Sequence, residues 1–499
     1  MRNRWAQALS LVGLMAALGG PVVAAPASAP LQTCHVPGGR HDVLCGQLRR
    51  PLDPARPDGP QVDIHYVVAP AMARSKKLDP VFLLAGGPGQ SAISLVPQVL
   101  PTMSRLNNRR DIVFVDQRGT GRSAPLQCAE AESPRLADQS DTEKQFRQIE
   151  ACREKLQALP YVNGADGLRF FTTTVAMQDL DAVRRQLGAE RINLVGGSYG
   201  TRAALEYQRQ FPGAVRRSVI DGVAPPDMVL PASMSLDAQA VLEAMLTACA
   251  REAACAGAHP HLRADWEALL ASLPRPVDMP NPLSGEPEHF TLTRDTLLNA
   301  VRGALYSPTL VSALPVAIGE AARGRVQGLV GLGSLLFARK NQSPAMGMHF
   351  SVVCAEDVPR LAAGGSAGVD FGDSQAKLYQ RVCARWPRGE VPAAFYAVPA
   401  SATPVLLLSG GLDPVTPPRH AERMARALGP RAVQVVVDNA GHGVMSLGCM
   451  PDVLFRFIDA DDDAAALHVD AACAKAIPRP PAFQPLVLPA TPSKSAAPR

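Results

Sequence analysis

A serine hydroxyl becomes a useful nucleophile only where a base stands ready to take its proton. One serine in this sequence has the setting for that. Gly196-Gly197-Ser198-Tyr199-Gly200 follows the G-x-S-x-G pattern, in which small residues let a strand turn sharply into a helix and lift the hydroxyl into a strained, exposed position. The pattern directly follows the apolar run Arg191–Val195 and precedes the helix-like stretch Ala203–Phe211. His442, in Asn439-Ala-Gly-His-Gly-Val444, is the candidate base, because it comes just after the last strand-like run. Asp413, in Ser409-Gly-Gly-Leu-Asp-Pro-Val-Thr416, is the candidate acid that would hold the imidazole in one tautomer and stabilise the imidazolium. Asp438 is its rival, but it stands too close before His442 to come from a different strand end. Oxyanion donors are expected from the N–H of Tyr199 and from Gly86 and Gly87 in Gly86-Gly87-Pro88-Gly89. The chemistry is acyl transfer through a covalent intermediate, with no cofactor and no metal called for.

The elements that must position these groups are legible around them. Val43–Leu48 and Val62–Val68 read as strands. Pro80–Ala85, Asp111–Asp116, Pro404–Ser409 and Ala432–Val437 are short runs, apolar almost throughout, of the kind buried in a parallel sheet. Thr174–Leu187 has helical spacing, and Arg217–Val223 reads as a strand. Strand alternating with helix predicts an α/β fold with a mostly parallel sheet and right-handed crossovers. The alternation lapses in the middle of the chain, where Leu236–Ala250, Leu262–Leu273, Arg294–Leu305 and Leu310–Ala322 are helix-like. The expected organisation is a signal peptide over 1–29, a first core part over 30–225, a mainly helical cap insertion over 226–400, a second core part over 401–477 carrying acid and histidine, and a loosely ordered Pro/Ala-rich tail over 478–499.

Composition narrows the class. Hydrophobic residues are 47% and charged residues 19% of 499, as in a globular protein, and a net charge of +5 with scattered arginines excludes a nucleic-acid footprint. Arg2 and Arg4, the apolar run Ala6–Leu18 and small residues through Ala29 form the three-part layout of a secretory leader, with cleavage after Ala24, Ala27 or Ala29. That run falls short of the ~20 residues a membrane span needs, so the mature chain is expected to be exported, periplasmic or secreted, with no membrane span. Export turns the ten cysteines toward disulfides. Connectivity stays open in the sequence. Consecutive pairing, which closes five short loops, is favoured: Cys34–Cys45, Cys128–Cys152, Cys249–Cys255, Cys354–Cys383 and Cys449–Cys473.

Three stretches together, Gly86–Gly89, Asp116-Gln117-Arg118-Gly119-Thr120-Gly121-Arg122-Ser123 and Gly196–Gly200, resemble the prolyl aminopeptidase and secreted tripeptidyl aminopeptidase branch of the α/β-hydrolases; Pro404–Cys449 is similar to the terminal region of the tripeptidyl enzymes. The resemblance covers most of the core, and the cap only in its placement. The family's glycine loop commonly begins with His, where Ala85 stands here. The resemblance implies an α/β-hydrolase fold and a serine peptidase acting on peptides with a free N-terminus. Such an enzyme must receive an ammonium, and the family does so with acidic cap residues, for which Glu356 and Asp357 are the candidates. A carboxylesterase or lipase is the alternative, and a non-catalytic binding protein on the same scaffold a more distant one.

Overall fold

The computed structural model describes residues 31–128, 135–335, 343–362 and 369–484. The expected leader and the end of the tail lie outside them. Nine strands form one sheet: β1 (Gln32–Cys34), β2 (Val43–Pro51), β3 (Gln61–Ala69), β4 (Val81–Leu84), β5 (Ile112–Val115), β6 (Ile192–Gly197), β7 (Val215–Asp221), and, after a long excursion holding the hairpin β8 (Arg275–Pro280) and β9 (Pro287–Leu292), β10 (Val405–Gly410) and β11 (Ala432–Val437). Their order across the sheet is β1-β2-β3-β5-β4-β6-β7-β10-β11. The first three strands and the β3–β5 contact are antiparallel, and every pair from β5 to β11 is parallel.

The apolar runs are explained by burial on both faces. Phe82 and Leu84 of β4, with Val405 and Leu407 of β10, point into one hydrophobic layer. Their neighbours Val81, Leu83, Leu406 and Leu408 point into the other. The helices Thr173–Gln186 and Tyr199–Gln210 cover the first face; Met450–Asp459 covers the second. The Asp116–Ser123 motif braces this core. The Asp116 carboxylate accepts from Ser91 Oγ at 2.7 Å and from the amides of Ile93 and Arg122, while the buried Arg118 pairs with Asp179 through two nitrogens at 2.7 and 3.0 Å.

Between β7 and β10 the described chain adds no strand to this sheet. It builds a separate core from Leu230–Arg251, Leu262–Ala271, Arg294–Leu305 and Leu314–Ala322 around the buried Trp266, Leu297, Leu305 and Ile318. Four details differ from the sequence reading. Leu230–Arg251 starts earlier than expected, because Pro231 falls in the first turn, where its missing N–H costs nothing. The cap is not purely helical: β9 alternates buried Glu288, Phe290 and Leu292 with exposed residues and pairs with β8. The helix Met346–Glu356 has no polar face to reveal it, being buried from Gly347 to Glu356. The start of the tail is packed rather than loose, with Phe483 N–H donating to Ser312 O at 2.8 Å and Gln484 Nε2 to Ala254 O at 3.2 Å.

Cysteine sulfurs meet in the five consecutive pairs, Cys34–Cys45, Cys128–Cys152, Cys249–Cys255, Cys354–Cys383 and Cys449–Cys473. No helix among the described residues is long and apolar enough to cross a membrane.

Candidate active site

The strand β6 ends at Gly197 and the helix Tyr199–Gln210 begins two residues later, so Ser198 alone makes the turn. It does so at φ 55° and ψ −123°, a conformation that non-glycine residues adopt only when their surroundings enforce it. The flanking glycines are what let the helix start so close to the sheet. A methyl at Gly200 would lie 2.1 Å from the Leu84 carbonyl oxygen, and one at Gly196 would lie 2.4 Å from Gly200 O. Ser198 N–H donates to Asp221 O at 2.8 Å, tying the elbow to the end of β7. Its Oγ has no hydrogen-bond partner among the described residues.

Asp413 follows β10 and is fully buried. Its Oδ1 accepts the amides of Val415 and Thr416 at 2.8 and 2.9 Å; its Oδ2 accepts Thr416 Oγ1 at 2.8 Å and lies 2.8 Å from His442 Nδ1. With every lone pair of a carboxylate directed at donors, the geometry suits a proton on Nδ1, which leaves the Nε2 lone pair free. Asp438, the rival acid in the sequence, is exposed and does not meet the ring. Burial alone would push the Asp413 carboxyl up, but His442 and the two amides outweigh it and hold it below its usual 3.8. Burial likewise disfavours the imidazolium, yet the adjacent Asp413 charge more than compensates and raises His442 above 6.5.

Three groups near the histidine were not foreseen from the sequence. The Thr416 hydroxyl lies 3.2 Å from Nδ1. Tyr306, at the end of the cap helix Arg294–Leu305, sets its ring edge-on to the imidazole at 5.3 Å between centroids, and its carbonyl accepts the His442 N–H at 3.0 Å. Asp221, buried at the end of β7, accepts the amides of Val444 and Met445 through Oδ2, both at 2.8 Å. The rule that picks out Asp413, an acid at the carboxyl end of a parallel strand, would also have picked out Asp221. Gly222, the next residue, faces the ring: a side chain there would begin 3.3 Å from His442 Cε1. The turns that carry Ser198 and His442 are therefore both tied to the end of β7.

The glycine loop passes directly against the serine, with a methyl at Gly86 placed 3.2 Å from Ser198 Cβ. The amides of Gly86 and Gly87 donate to no group among the described residues, and Tyr199, first in its helix, has no carbonyl four residues back. The cap holds the loop from above: Ala345 N–H donates to Gly89 O at 2.9 Å, and His349 Nδ1 lies 3.3 Å from Pro88 O.

Glu356 and Asp357 have a different setting from the one the resemblance implies. They are 1% and 0% exposed and are already partnered inside the protein. Asp357 grips Arg202 through both guanidinium NH groups at 2.9 and 3.1 Å and accepts Leu230 N–H at 3.0 Å. Glu356 accepts the N–H and hydroxyl of Thr173 at 2.8 and 2.9 Å and lies 3.5 Å from Arg202. Burial pushes the Glu356 carboxyl up to about 7. Both acids thus brace the helix that follows Ser198, and the guanidinium occupies the place foreseen for a substrate ammonium.

The profile of the alpha/beta hydrolase fold matches residues 79–448. The chain is 26% identical over 506 residues to the serine protease Hip1 of Mycobacterium tuberculosis, covering 91% of this chain and 94% of that one. It is 31% identical over 193 residues to a tripeptidyl aminopeptidase of Streptomyces coelicolor, 37% of this chain and 36% of that one. It is also similar to carboxylesterase B of Mycobacterium tuberculosis, 27% identical over 456 residues and covering 83% and 84% of the two chains. With a profile spanning most of its length and a sheet of matching architecture, the chain belongs to the α/β-hydrolase family.

Proposed function

We propose that the protein is an exported serine peptidase that cleaves peptide bonds near free N-termini through an acyl-enzyme. The observation that carries the reading is the 2.8 Å contact of Asp413 Oδ2 with His442 Nδ1, together with a serine held at positive φ on an elbow. His442 Nε2 takes the Ser198 proton as Oγ adds to the scissile carbonyl, and returns it to the leaving amine; water then repeats the sequence to release the acyl group. The amides of Tyr199, Gly86 and Gly87 meet the oxyanion as it forms. The match to Hip1 over nearly the whole of both chains and the partial match to a tripeptidyl aminopeptidase support the peptidase assignment. Five cysteine pairs support the oxidising compartment that a leader implies.

Covalent labelling by a fluorophosphonate, abolished in Ser198→Ala, tests the nucleophile. A free tripeptide anilide compared with its N-acetylated form tests the N-terminal requirement, and equal turnover of the two rejects it. The second reading, a carboxylesterase, is favoured by the extended similarity to carboxylesterase B and by the internal pairing of Glu356 and Asp357. Turnover of p-nitrophenyl esters with none of either peptide selects it.

A further inference from the structure

Asp221 is 1% exposed, yet only one of its two carboxylate oxygens is occupied. Oδ2 takes the two amides that follow the His442 turn; Oδ1 has no partner among the described residues. Buried polar atoms are ordinarily paired, and an exception calls for a reason. Accepting two N–H groups on one oxygen does not need a charge, since an asparagine of the same shape would do it. A carboxylate here bears the full cost of leaving water, so the charge itself needs a purpose. The charged groups facing it are the His442 imidazole and, beyond it, Asp413. On one side β6 brings the Ser198 elbow, through the bond from Ser198 N–H to Asp221 O, and on the other β10 brings the uncharged Leu408.

We propose that Asp221 is a positioning residue of the active site, with one oxygen clamping the His442 loop to the strand end that also holds the Ser198 elbow, while its charge acts as a second anion that stabilises the imidazolium formed during acyl transfer. Asp413 fixes the tautomer; Asp221 fixes the loop and adds to the field. Burial pushes its carboxyl up to about 6, so at neutral pH the group is ionised and its field on His442 is present. Because this inference rests on the Ser198–His442 reading, it is tested on a simple ester, p-nitrophenyl acetate, whose turnover does not depend on peptide specificity. Loss of that turnover in Ser198→Ala verifies the reading separately.

The discriminating variant is Asp221→Asn, which keeps an acceptor for Val444 and Met445 but removes the charge. The expected result is a urea midpoint near wild type, kcat lower by about tenfold or more with KM unchanged, and an acidic limb of kcat/KM moved to lower pH by about half a pH unit, because an anion beside His442 no longer favours its protonated form. Wild-type kcat with an unmoved limb overturns the proposal, as does a loss of folding stability with kcat/KM and its pH profile intact in the folded fraction. If the Asn variant does not fold, Asp221→Glu retains the charge: a limb at the wild-type pH supports the proposal, and one at lower pH overturns it.

Discussion

Replacing Asp357 by Asn separates the two roles that its sequence position allows. The side chain makes a two-point contact to Arg202 at 2.9 and 3.1 Å with neither partner exposed, and it also accepts the Leu230 amide. Removing one partner of such a pair strands a buried charge and costs about 3–5 kcal/mol. Arg202 would not be wholly abandoned, since Met228 O stays at 3.0 Å and Glu356 lies 3.5 Å away. Glu356, pushed up to about 7 by burial, is only partly ionised at neutral pH and can ionise further once its neighbour's charge is gone. The loss should therefore fall at the lower end, about 3 kcal/mol, read as a fall in the urea midpoint at pH 7.5 with disulfides intact. The ratio of free to N-acetylated tripeptide turnover should not change. A variant as stable as wild type that no longer distinguishes the two peptides would refute the reasoning, because it would mean that the carboxylate faces substrate rather than Arg202.

Other consequences can be measured directly. Since His442 is raised above 6.5 and must be neutral to act as a base, the acidic limb of kcat/KM should turn above pH 6.5; a limb below that value contradicts the pairing with Asp413. Gly200→Ala sets a methyl 2.1 Å from the Leu84 carbonyl, so the elbow must shift; fluorophosphonate labelling should drop by at least tenfold, with stability lower by about 3 kcal/mol or more. Reduction of the five disulfides should lower the melting temperature, with each intact bond contributing about 2–4 kcal/mol. An unchanged melting temperature after verified reduction would show that the unfolded chain gains nothing from its cross-links.

The central strands could be read from the sequence because they are buried on both faces, so runs such as Val81–Leu84 and Val405–Leu408 carry no polar alternation to confuse them. The elbow was equally plain, since the close approach at Gly200 admits no side chain. What escaped depends on contacts that leave no periodic trace. The helix Met346–Glu356 lies buried all round, so its polar residues His349, Ser351 and Glu356 mark no exposed face. Glu356 and Asp357 looked available because a local sequence does not show that Arg202, about 150 positions away, turns toward them. Tyr306 holds the His442 amide with its backbone carbonyl, an atom every residue has, and its ring meets the imidazole across more than a hundred positions of sequence, so neither contact leaves a local trace. Asp221 carried the same signals as Asp413, a place at a strand end and a position between Ser198 and His442 in the chain, so only the contact of Asp413 with Nδ1 separates them.

The bond from the His442 amide to Tyr306 O ties the segment between β7 and β10 to the loop that carries the histidine. The His442 loop takes its bearing from the end of the helix Arg294–Leu305 and from Asp221 of β7, so a chain without that helix would lose one of the two supports of the ring.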